Sequence, residues 1–124
     1  RFEALIAEVI AFFEADPSRA RLLYREILDR PEELTAQLGG FLAPWIVLLS
    51  DYIRRGQHTG LIRKGVDPEV YISNIIQMVI GGVATTPVFG VVVGDSAVER
   101  QIREVTRIAR TALFADDNLE GNHG

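Results

Sequence analysis

Apolar residues along this chain recur at helical spacing, and strand-like alternation is nearly absent. Phe2, Leu5, Ile6, Val9, Phe12 and Phe13 form one stripe, which predicts a helix from Arg1 to about Ala15. Asp16-Pro17 ends it and opens a second. The aspartate serves as N-cap, and a proline in the first turn lacks only an N–H that would have had no partner. The second helix shows Ala20, Leu23, Tyr24, Ile27 and Leu28 on one face and ends near Arg30-Pro31. A third runs from Pro31 to about Arg55, with Leu34, Leu38, Phe41, Leu42, Trp45, Ile46, Leu49, Tyr52 and Ile53 inward. Pro44 cannot donate to the Gly40 carbonyl and crowds it, so this helix is expected to bend around Gly39-Gly40.

Asp67-Pro68 repeats the earlier start signal and opens a fourth helix. The run from Ile72 to Val93 is apolar on nearly every side, with Pro87 and Val91-Val92-Val93 placing the helix end between Val83 and Phe89. Asn74, Gln77, Gly81-Gly82, Thr85, Thr86 and Gly90 interrupt the run, and no cluster of basic residues flanks it. The expectation is therefore a buried helix and no membrane partner. Ser96 and Glu99 have the spacing of a capping box for a fifth helix. On it Val98, Ile102, Val105, Ala109 and Ala112 make a narrow, heptad-like seam. Residues 1–114 are expected to form one all-α domain of five helices, and the acidic, glycine-containing stretch 115–124 a frayed tail.

Composition narrows the chemistry. The 124 residues hold no cysteine, which removes disulfides, thiol catalysis and cysteine-based zinc sites and is compatible with a cytoplasmic setting. Thirteen basic against seventeen acidic residues leave a formal charge of −4, the wrong sign for direct binding to nucleic acid. His58 and His123 have no companion at metal-ligand spacing, and no nucleophile motif, phosphate loop or helical metal motif is present. No metal, cofactor or catalytic residue is assigned.

The helix order and the segment Tyr52-Ile53-Arg54-Arg55-Gly56-Gln57-His58-Thr59-Gly60-Leu61-Ile62-Arg63, followed by Val66-Asp67-Pro68-Glu69, resemble the C-terminal regulatory domain of tetracycline-repressor (TetR) type transcriptional regulators. In that family a helix ends in a basic-x-Gly-Gln-x-x-Gly-hydrophobic turn before an Asp-Pro. The same residues also read simply as a helix end: Gly56 and Gly60 are free to take positive φ, and Arg54 and Arg55 suit the negative end of the helix dipole. The resemblance spans about Phe2 to Phe114 and implies a bacterial regulator whose N-terminal helix-turn-helix is absent from this chain. Arg1 enters a helical pattern uncapped, which fits a piece of something longer.

The resemblance further implies dimerisation through the last two helices as a four-helix bundle, a small effector held among the first four, and operator DNA contacted only through the missing module. Five helices do not easily cover an all-apolar fourth helix, which also favours a homodimer. The candidate interface is Val79, Val83, Val98, Ile102, Val105, Ala109 and Ala112. The candidate pocket, beside the proline bend, is Phe12, Phe13, Tyr24, Phe41, Trp45, Leu49, Gln77 and Met78, facing an apolar or aromatic effector. The alternative is a helical, homodimeric protein-interaction module without a small-molecule site.

Overall fold

A computed structural model describes residues 2–116, the side chains of residues 2, 3, 5, 6 and 41 excepted. The expected tail from residue 117 onward, the stripe positions Phe2, Leu5 and Ile6, and the Phe41 side chain lie outside the described residues. Six helices follow one another: α1 (Phe2–Ala15), α2 (Pro17–Asp29), α3 (Pro31–Thr59), α4 (Pro68–Ala84), α5 (Thr86–Val93) and α6 (Ala97–Leu113). Both Asp-Pro signals act as read. The Asp16 side chain accepts from the Ser18 N–H, and that of Asp67 from the Val70 N–H.

The helix count is corrected from five to six among the described residues. The chain leaves α4 at Thr85, inside the expected interval, but turns by 80° and resumes as α5. Pro87 lacks the N–H that would bond the Val83 carbonyl. The Thr85 and Thr86 hydroxyls donate to the Gly81 and Gly82 carbonyls at 2.6 and 2.9 Å, replacing part of what the helix loses. No single described helix is long and apolar enough to cross a membrane.

α4 is the hub and packs against every other helix. Ile10, Val79, Val105 and Ala109 join α1, α4 and α6. Ala20, Ile80 and Val83 join α2 to α4. Ile53, Ile62, Ile72 and Leu113 join α3, α4 and the end of α6. The residues expected at an interface divide between the core and the surface. Val79, Val83, Val105 and Ala109 are buried by their own chain, Ala109 completely, and Ile102 packs on the same cluster. Those four side chains have little surface left for a second copy. Val98 is half-buried, and Ala112 is exposed.

The α3–α4 connection explains its own residues. α3 continues past Arg55 to Thr59, and only Gly60 takes positive φ, at 84°. Gly56 stays helical and serves a different end: a β-carbon there would lie 2.5 Å from Ile62 Cδ1, so its absence lets Ile62 seat on the helix. The Gln57 amide donates to the carbonyls of Arg63 at 3.0 Å and Val66 at 2.8 Å, holding the loop closed. Arg54 is placed too far back for the helix end and instead pairs with Glu69 at 2.8 Å.

Two further expectations change. Ser96 sits at the start of α6 with φ 58° and makes no capping hydrogen bond, since a left-handed residue does not present its hydroxyl to the N–H two or three positions on. The fraying expected from residue 115 does not begin there. The Arg63 N–H donates to the Leu113 carbonyl and the Ala115 N–H to the Leu61 carbonyl, and Arg63 pairs with Asp116 at 2.5 Å.

Several carboxylates are held ionised by the fold, three of them by partners at helix starts and at the α3–α4 connection. Asp16 lies below its ordinary value of 3.8 because Ser18 donates to it, Glu69 below 4.5 because Arg54 does, and Asp116 below 3.8 beside Arg63. Groups with depressed folded values stabilise fully above their unfolded values, and that contribution disappears as pH falls through the folded ones. Asp16→Asn is therefore expected to lower the urea midpoint at pH 6 and to unfold together with the parent at pH 2. An equal gap at both pH values would refute the assignment.

Candidate functional site

The Phe41 side chain lies outside the described residues, and the other seven pocket candidates do not converge. Phe13 bridges two core clusters, Met78 belongs to the α1–α4–α6 cluster, and Leu49 packs under the α3–α4 connection. Tyr24 is a spacer between α2 and α4, its hydroxyl so close to Gly81 that a β-carbon there would stand 2.9 Å from it. Phe12 meets Phe13 edge to face at 5.1 Å, carries the Arg19 guanidinium 4.6 Å over its ring, and is 56% exposed. The exposed Gln77 amide donates to Ser73 at 2.9 Å. Trp45 is 53% exposed. The bend is present, with the axis turning 65° between Pro31–Gly40 and Leu42–Thr59, but it leaves the indole on the outside of α3.

Two cavities are lined by none of these seven. One, of about 450 Å³, lies by Arg54, Gln57, His58 and Lys64 at the carboxyl end of α3. Arg54 is engaged by Glu69 and Gln57 by loop carbonyls, and the helix end contributes partial negative charge, so the surroundings are poor for an anion and too polar for an apolar guest.

The other, of about 390 Å³, is formed where α4 breaks. Gly82 and Thr86 form its floor, Phe89, Gly90 and Val93 of α5 one wall, and Ala97, Arg100, Gln101, Glu104 and Val105 of α6 the opposite wall. Positions 97, 101, 104 and 105 share one face of α6. Gly82 has a specific use here: a β-carbon would lie 2.3 Å from Gln101 Nε2, so the missing side chain lets that amide settle against α4. At Gly90 a β-carbon would meet Thr86 Cγ2 at 3.3 Å, so the glycine keeps the α5 wall close. The cavity lies at the small end of the roughly 300–1,000 Å³ range of small-molecule sites, and its wall of Phe89, Val93, Ala97 and Val105 is apolar.

Sequence reading missed this site because its walls come from two helices where one was expected. A usable signal was present: Pro87 and Gly94 bracket a short apolar run with Gly90 in the middle, the length of a separate helix. Beside the cavity lies the largest uncovered apolar surface of α5, with Val91 83% and Val92 80% exposed and Val88 and Phe89 more than half so.

Helices gathered around one central helix, with a cavity and an uncovered apolar helix at one end, define an all-α domain built on α4. The family described as "Tetracyclin repressor-like, C-terminal domain" matches residues 1–111, and the chain belongs to it. No curated protein and no solved structure matches the chain.

Proposed function

We propose that this domain is the effector-sensing and dimerisation part of a TetR-like transcriptional regulator acting in the bacterial cytoplasm. A small molecule bound within it changes the DNA affinity of a helix-turn-helix module outside this chain. The observation that carries the reading is an apolar-walled cavity in a chain of this family, set against the hub helix. α4 touches both the cavity and α1, so a ligand that favours one arrangement of α4, α5 and α6 biases the packing of α1, the element nearest a module on the N-terminal side.

A homodimer in this reading uses the α5 surface of Val88, Phe89, Val91 and Val92, because Val79, Val83, Val105 and Ala109 are taken up by the core. A thermal-shift screen of apolar and aromatic compounds, paired with light scattering at micromolar concentration, tests both parts. Binders are expected to raise the melting temperature by mass action, and the chain is expected to be dimeric. A dimer that no compound stabilises favours the interaction module, for which the exposed Trp45, Val47 and Leu48 offer a further apolar face.

A further inference from the structure

We infer that the cavity between α4, α5 and α6 takes a small amphipathic carboxylate, its apolar body against Phe89, Val93 and Val105 and its acid group at Arg100 and Gln101. This rests on the effector reading above and deepens it.

Charge decides the class of ligand. Two residues of opposite formal charge line the cavity, Arg100 and Glu104. Glu104 is satisfied: Arg107 grips both its oxygens, and that contact holds its carboxyl below the usual range. Among the described residues Arg100 has no such partner. Among the described residues its guanidinium makes one hydrogen bond, to the Val93 carbonyl at 3.1 Å, which leans it over the carboxyl end of α5 and leaves its other N–H groups uncommitted. The half-buried Gln101 amide, settled on Gly82, makes no hydrogen bond to a described residue. An unmatched cation and an amide with free donors are therefore adjacent on α6, above an apolar wall. A carboxylate accepts from a guanidinium in a bidentate manner and from an amide besides, and a charge-assisted pair is roughly twice as strong as a neutral one. A neutral alcohol or amide engages the same donors without the charge.

α5 gives the site its leverage. It packs mainly against α4 and α6 and has no buried residue within the chain, so it is the wall most easily drawn inward. The Val93 carbonyl already accepts from Arg100, and a ligand on that guanidinium acts on α5 directly.

The test measures the melting temperature of the 124-residue chain against octanoate and phenylacetate, with octanamide and phenylacetamide as neutral counterparts. Both acids are expected to stabilise at concentrations at least about tenfold lower than the amides, which is the order of a charge-assisted contact. Arg100→Gln is expected to abolish that preference while leaving the response to the amides. Ala97→Leu, which fills the cavity from the start of α6, is expected to remove both responses, and circular dichroism checks that each variant is folded. Equal responses to acids and amides overturn the inference. So does an acid response that survives Ala97→Leu or is lost only in Trp45→Ala, and in those cases the effector reading stands with its site elsewhere. If neither these four compounds nor any member of the wider apolar and aromatic screen stabilises the chain, the effector reading itself fails.

Discussion

Replacing Ile62 by alanine is expected to lower the melting temperature by roughly 10 °C. Ile62 is almost fully buried, packed among Ile53, Ile72 and Leu113 and seated on the bare backbone of Gly56. Truncating a buried isoleucine costs about 2–5 kcal/mol, and each kcal/mol is worth about 2–8 °C in domains spanning this size. Gly56→Ala approaches the same contact from the other side. Alanine in a helix interior gains about 1 kcal/mol over glycine, but here its β-carbon would stand 2.5, 2.7 and 3.2 Å from three carbons of Ile62. The nearest atom could swing away. Ile62 Cβ cannot, because the Ile62 N–H is tied to the Gly56 carbonyl at 3.0 Å. Overpacking of about 1–3 kcal/mol therefore outweighs the propensity gain, and Gly56→Ala is expected to destabilise. The double variant supplies the check. With alanine at 62 the two closest clashes are gone, so the double variant should melt well above the sum of the two losses. Strict additivity in thermal unfolding followed by circular dichroism would show that Gly56 and Ile62 do not share one contact.

What the sequence made legible is what is decided locally. Asp16-Pro17 and Asp67-Pro68 start helices because the cap and the missing N–H act within one turn, and the structure has both caps in place. The Gly-Gln turn could be recognised as a pattern, but the division of labour within it could not. Which glycine takes positive φ and which makes room for Ile62 depends on where Ile62 returns, a relation set by tertiary packing. Ser96-Glu99 matched a capping pattern and failed, because the turn after Gly94 leaves Ser96 left-handed.

The cavity was hidden for a related reason. Hydrophobicity from Ile72 to Val93 is continuous, and nothing in its period reports an 80° turn. That turn comes from hydroxyls of Thr85 and Thr86 taking carbonyls a turn back, just ahead of Pro87. Once the helix breaks, Phe89 and Val93 face α6 across a gap and leave the core, while Arg100 and Gln101, unremarkable on a surface helix, become its polar edge. Among the described residues, the aromatics that drew attention in the sequence went where large apolar side chains usually go, Phe13 and Tyr24 against the core and Phe12 and Trp45 onto the surface.

Ala109→Leu carries the same distinction into a measurement. Periodicity predicted a seam from Val98 to Ala112 but was silent about what covers it, since a partner helix and a neighbouring helix of the same chain ask for the same small residues. In the structure Ala109 has no exposed surface, its carbonyl accepts from the Tyr71 hydroxyl at 2.5 Å, and burial pushes the Tyr71 phenol above its ordinary value. Three added carbons there must force α6 away from α1 and α4 within one chain, at about 1–3 kcal/mol, or a melting point lower by up to about 10 °C. Because the strain is intramolecular, the loss is expected to be the same at 2 and 200 µM protein, while the association state seen by light scattering is unchanged. Val91→Asp should behave in the opposite way. With that side chain 83% exposed on α5, the fold pays almost nothing, and any effect appears as weaker self-association. A loss for Ala109→Leu that shrinks as protein concentration rises would put the stripe back between two copies and overturn its assignment to the core.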